Sequence, residues 1–103
     1  MAWVYMLRCS DGSYYVGSTG VIEQRLQEHA DGKGAEYTKR RLPVELVWAE
    51  ELDGLADAYA MERRIHGWSR AKKEALIAGD WERIRSLARR RGVEKVKGRF
   101  RAG

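Results

Sequence analysis

Apolar and polar positions change period several times along this chain, and each change marks an element. "WVYMLRC", Trp3 to Cys9, is a run of apolar, β-branched and aromatic residues, which predicts a strand buried on both faces. "SDGS" follows, and its Asp11-Gly12 pair signals a hairpin turn. "YYVGS" then reads as the returning strand. Residues two apart share a face in a pleat, so Tyr15 and Gly17 point one way and Tyr14 and Val16 the other. Gly17 weakens a strand interior, which predicts a group approaching the backbone closely there.

The period then lengthens. In "GVIEQRLQEHADG", Ile22, Leu26 and Ala30 recur at helical spacing, with Gly32 after the end. "KGAEYTKRR" reads as a basic loop, closed by Leu42-Pro43. "VELVWAE", Val44 to Glu50, predicts a third strand with Val44, Leu46 and Trp48 on one face. Asp53 is positioned to cap a second long helix from about Leu55 to Trp68, whose stripe is Leu55, Ala58, Met61, Ile65 and Trp68. "SRAKKEALIAG" predicts a short basic helix ending at Gly79, and Asp80 would cap a last one in "WERIRSLARR". From about Gly92 the chain is rich in Gly, Arg and Lys with little to bury, so a disordered tail is expected. Trp48, Trp68 and Trp81 are expected to pack and Trp3 to anchor the first strand. Cys9 reads as a small strand residue, and His66, near the edge of the stripe, as structural or exposed.

With 103 residues, 44% hydrophobic and 34% charged, the chain fits one small soluble domain with a single modest core. No apolar run reaches the length of a membrane span, and the first basic residue, Arg8, follows the apolar stretch instead of preceding it. A cytoplasmic protein with no membrane association is expected. The single cysteine excludes an internal disulfide framework and a cysteine-based zinc site. Charge is uneven: residues 1–60 hold 6 Lys/Arg against 10 Asp/Glu, and residues 61–103 hold 14 against 5. The basic half suits a polyanion, with nucleic acid foremost, or is a solvated helix face and tail.

Three polar residues fall on apolar stripes. His29 lies inside the inward arc of the first helix, with Arg25 one turn before it at the arc's edge. Glu62 lies within the stripe of the second. Residue by residue, they read as a buried Arg25–Glu62 salt bridge and a hydrogen-bonded core histidine. Together, beside a tyrosine-rich hairpin, they read as a cleft holding a cation for phosphate, an oxygen ligand for Mg2+ and groups that handle a proton.

These residues, in this order, resemble a GIY-YIG nuclease domain. "WVY" stands at the first short motif and "YVG" at the second; Arg25 in "QRLQEH" matches the helix arginine, and Glu62 in "AMERRIHGWSR" the metal-binding glutamate. The likeness runs from about Ala2 to Ile77. It is nearest the small single-domain bacterial branch, marked by "LRCSDGSYYVGST", "GKGAEYT", "RRLPVELV" and "WSRAKKEALI". The motif set is also similar to the nuclease subunit of eukaryotic junction-cutting enzymes and, more distantly, to the excinuclease. "WVY" departs from Gly-Ile in the first motif while keeping Tyr5.

The resemblance implies an α+β fold, a small antiparallel three-stranded sheet flanked by helices with the active site on one sheet face. Residues 1–79 would form the nuclease domain and 80–103 a basic helix and tail. It implies divalent-metal-dependent hydrolysis of a DNA phosphodiester, with Glu62 holding a single Mg2+ or Mn2+. Arg25 would neutralise the phosphoryl oxygens. Tyr15, and with it Tyr5, would orient or deprotonate the attacking water, and His29 would assist the proton transfer. A phenol of ordinary pKa ~10 needs a nearby cation to serve as a base. Gly17 would let the substrate close in, and Tyr37, Lys39, Arg40 and Arg41 would contact it. Arg63, Arg64, Arg70, Lys72 and Lys73 would steer phosphate, and Arg89 to Arg101 would add salt-sensitive affinity or only solubilising charge. The competing functions are a nucleic-acid-binding module that cuts nothing and a nuclease subunit that needs a protein partner for targeting.

Overall fold

The structure is a computed structural model and describes residues 1–88. It runs β1 (Ala2–Arg8), β2 (Tyr14–Thr19), α1 (Ile22–Ala30), α2 (Glu36–Lys39), β3 (Glu45–Leu52), α3 (Leu55–His66) and α4 (Arg70–Ala78), with residues 81–88 again helical. The three strands form one antiparallel sheet in the order β2-β1-β3. The expected α+β class and strand set are found. β1 is central, which explains its unbroken apolar run: Val4, Tyr5, Met6 and Leu7 are at most 1% exposed. The hairpin closes around Asp11, whose carboxylate accepts from the backbone N–H and hydroxyl of Ser13 at 3.0 and 2.6 Å. Gly12 takes φ +85°, a left-handed conformation that suits glycine.

The two faces of the sheet are covered differently. Tyr5 and Leu7 pack with Ile22 of α1, and Trp3, Tyr15, Leu26, Val44 and Ala49 close around them. Val4, Met6 and Val16 alternate to the other side. There α3 packs against β1 and β2, burying Ala58 and Ile65. Ser18 shares the face of Val16 and hydrogen-bonds Glu62 of α3, which fixes that assignment. The chain divides into two compact units, Met1–Gly67 and one beginning at Trp68. In the second, Ser69 caps α4 by accepting from the Lys72 N–H at 3.2 Å, and Gly79 ends it at φ +72°. Asp80 accepts from the Arg83 N–H at 3.1 Å, as its sequence position predicts. No helix among the described residues is long and apolar enough to cross a membrane.

Several local expectations need correcting. The stretch "KGAEYTKRR" contains α2, because Thr38 bonds back to Ala35 and Glu36 pairs with Lys39 and Arg40 one turn on. Asp53 does not cap α3. Gly54 occupies the N-cap with an extended φ of −152°, leaving Asp53 one residue too early to reach the first turn's N–H groups. That helix also stops at His66, with Gly67 as its cap. Val44 precedes β3, and a register shift skips Val47 between the Leu7–Leu46 and Met6–Trp48 pairs. Leu46 is 43% exposed. In α1 it is His29 that is buried and Ala30 that is exposed, and Leu55 and Trp81 also lie exposed, each in the first turn of its helix. The tail from Gly92 lies outside the described residues.

The core assignment carries a direct test. Ile65 is fully buried beneath the sheet. Ile65→Ala should cost about 2–5 kcal/mol of unfolding free energy in a denaturant melt, and Leu55→Ala, at an exposed position, under about 0.5 kcal/mol.

Candidate active site

The β1–β2 register sets Tyr5 opposite Gly17. A Cβ at position 17 would stand 2.5 Å from the Tyr5 phenol oxygen and 3.1 Å from the Tyr15 ring. Glycine is therefore required for the Tyr5 ring to lie over β2. The group that approaches this backbone is a neighbouring side chain, and Gly17 is buried beneath it. The Tyr5 oxygen lies 2.8 Å from His29 Nε2, and both residues are fully buried. His29 Nδ1 lies 2.8 Å from Thr38 Oγ1, also buried. Gly34 backs the imidazole so closely that a Cβ there would collide with it, 2.7 Å from Cγ.

The direction of this column follows from counting protons. Thr38 has one hydroxyl hydrogen and donates it to the Ala35 carbonyl oxygen at 3.1 Å. It must then accept from His29 Nδ1–H. Nε2 is left unprotonated, and the Tyr5 O–H donates into it. Tyr5, His29 and Thr38 thus form a chain of hydrogen bonds that points one way, out of the phenol.

Charge around the column is held low. Burial pushes the Tyr5 phenol up to about 12 against the opposing hydrogen bond of Arg25. Burial also raises the Tyr15 phenol, Arg25 opposes the rise and the Glu62 charge adds to it. His29 falls below its ordinary 6.5, first through burial and then through the Arg25 charge. At neutral pH the pair is a phenol and a neutral imidazole. Arg25 itself binds Glu28 at 2.9 Å with 31% of its side chain exposed. The expected Arg25–Glu62 salt bridge is not formed, because α1 and α3 cover opposite faces of the sheet.

Glu62 lies on the other face of the sheet, against β2, the edge strand. Its Oε1 accepts from the Ser18 hydroxyl at 2.6 Å, its side chain is 19% exposed, and Oε2 lies 3.7 Å from His66 Nε2. The candidate residues therefore come from both sheet faces, whereas one face was expected. The Glu62 charge nonetheless acts on both Tyr5 and Tyr15. A carboxylate with one oxygen anchored by a hydroxyl and the other directed at an exposed histidine fits a divalent cation. Among the described residues no group of three or more His, Cys, Asp or Glu converges, so water and phosphate oxygens would supply most of such an ion's remaining ligands.

Tyr15 is partly exposed and stacks on Tyr37 at 6.1 Å, and the Arg41 guanidinium lies 3.8 Å from the Tyr37 ring centre. Arg41 is further held by Asp11 at 3.0 Å, tying the hairpin turn to α2. Lys39 and Arg40 are well exposed, with only surface pairing to Glu36. Arg63 lies over Tyr59 on α3. Arg70, Lys72 and Lys73 belong to the second unit. Arg70 pairs with Glu74, Lys72 is 8% exposed with its ammonium 4.2 Å from the Trp68 ring centre, and burial lowers Lys73. Sequence reasoning missed Thr38, Gly34 and Ser18. A threonine nine residues after an inward histidine was the available signal for the first.

His29 links the column to pH. The unfolded chain takes a proton at the ordinary 6.5, and the folded protein refuses it until a lower pH. Stability is thus full above 6.5 and falls as pH drops through the window between the two values. The denaturant midpoint should fall between about pH 7.5 and 5.5, and by less in His29→Gln; parallel curves for the two proteins would contradict this.

The family model described as the GIY-YIG catalytic domain matches residues 1–75. A UPF0213 protein of Syntrophus aciditrophicus is 49% identical over 83 residues, covering 80% of this chain and 95% of the relative. One from Natronomonas pharaonis is 46% identical over 78 residues, covering 76% and 92%. The solution NMR structure of the UPF0213 protein BH0048 from Bacillus halodurans superposes with a TM-score of 0.51 at 40% identity, over 78% of this chain and 86% of that one. With the sheet order, the paired tyrosines and the helix-borne arginine and glutamate in place, the chain belongs to the GIY-YIG catalytic domain family, alongside the UPF0213 proteins.

Proposed function

We propose that this protein is a divalent-metal-dependent endonuclease that hydrolyses DNA phosphodiesters, selects its target by DNA structure and serves repair or recombination. The observation that carries this reading is that the hydrogen-bonded Tyr5–His29 column lies beside Tyr15 while the charges of a partly exposed Arg25 and of the Ser18-anchored Glu62 both act on that phenol. The family supports a nuclease-like activity.

Each side chain has a task that its surroundings suit. Tyr15, the accessible phenol, meets the attacking water. Tyr5 is fully buried and donates to His29 Nε2, and with Thr38 on Nδ1 this holds the two rings in place beside Tyr15. Arg25 lies where its charge lowers both phenols and is exposed enough to meet a phosphoryl oxygen. Glu62, with Oε1 fixed by Ser18, would hold one Mg2+ or Mn2+, which when bound polarises the phosphate and stabilises the leaving oxygen. Tyr37, Lys39, Arg40 and Arg41 form a surface beside Tyr15 that suits the backbone of the nucleic acid.

The test is a cleavage assay on duplex, flap, fork, junction and single-stranded DNA, with Mg2+, Mn2+ or chelator. Glu62→Gln and Tyr15→Phe should each lower the metal-dependent rate at least about a hundredfold while leaving DNA binding within a few fold. Metal-dependent cutting that survives both substitutions would overturn the assignment. Binding without cutting on every substrate would favour a binding module or a partner-dependent subunit.

A further inference from the structure

His66 stands one turn beyond Glu62 on α3, at the i, i+4 spacing that brings two side chains together on a helix surface. Its Nε2 lies 3.7 Å from Glu62 Oε2. Glu62 Oε1 is already taken by Ser18, so Oε2 is the oxygen offered to a cation, and it is the one His66 faces. The imidazole is 53% exposed and can turn about its own side-chain bonds. Metal bonds of about 2.1 Å to nitrogen and to oxygen span donors up to roughly 4.2 Å apart, so one ion can touch both.

We propose that His66 is a second protein ligand for the ion that Glu62 holds, and that it makes the site favour Mn2+ or a later first-row ion over Mg2+. The inference rests on the reading of Glu62 as the metal ligand. Its chemical basis is ligand type: carboxylate and phosphate oxygens suit Mg2+ and Mn2+ alike, whereas imidazole suits the transition ions and is a poor ligand for Mg2+. A site of one carboxylate and one imidazole therefore discriminates where a lone carboxylate does not. With a neutral imidazole as the second donor, the ion also keeps more of its charge for phosphate than it would beside two carboxylates.

The experiment is a titration of DNA-free protein with Mn2+ and separately with Mg2+, following His66 ring protons by NMR and affinity by calorimetry. Wild type, His66→Ala and Glu62→Gln are compared. The proposal expects early paramagnetic broadening of the His66 ring protons. It also expects roughly tenfold weaker Mn2+ binding in His66→Ala, with Mg2+ binding unchanged. Unchanged Mn2+ affinity in His66→Ala, with affinity lost in Glu62→Gln, would overturn the role of His66 and leave Glu62 as the sole protein ligand. Mn2+ binding that survives Glu62→Gln, or no Mn2+ binding by wild type, would overturn both.

Discussion

The 2.8 Å hydrogen bond between Tyr5 and His29 ties the central strand to the first helix through the core. Two polar groups are placed where water cannot reach them, and such groups are costly unless each finds a partner. The fold meets that demand with Thr38, whose hydroxyl satisfies Nδ1 and then bonds Ala35. No buried side-chain polar atom among the described residues lacks a partner. Around this column space is tight. Gly17 admits the phenol from one side and Gly34 admits the imidazole from another. A sheet, a helix and the short turn of α2 are thereby fixed to one another by polar contacts in an otherwise apolar interior.

The same constraint shapes the chemistry. Burial keeps Tyr5 and His29 uncharged, so the column waits with its proton on the phenol. Arg25 supplies positive charge at the boundary, and Glu62 supplies negative charge from the other side of the sheet. Separating α1 from α3 prevents the arginine and the carboxylate from cancelling each other in a direct pair. On the proposed reading, Arg25 would meet a phosphate and Glu62 a cation.

Much of this was legible in the sequence, for physical reasons. The continuous apolar run of β1 announces a central strand, and Asp11-Gly12 announces its turn. His29 on an inward arc announces a buried polar group. The alternation around Gly17 placed Tyr15 and Gly17 together, but could not say that the visitor at Gly17 is Tyr5, because strand pairing is a tertiary fact. Thr38 was hidden for a related reason: a four-residue helix has too little periodicity to stand out from a basic loop. The Arg25–Glu62 pair expected from two inward stripes failed because helical phase says which way a residue faces and not which side of a sheet its helix occupies. Ser18, which decides how Glu62 is held, is an ordinary strand serine until that placement is known.

The claim on which the rest stands is the direction of the hydrogen bonds through His29. Long-range proton–nitrogen NMR at neutral pH reads it directly from the two ring nitrogens. The expected result is a neutral imidazole with hydrogen on Nδ1 and a bare Nε2 that accepts from Tyr5. Hydrogen on Nε2 with Nδ1 bare would contradict it, for Thr38 would then have to give its single hydrogen to Nδ1 in place of the Ala35 carbonyl.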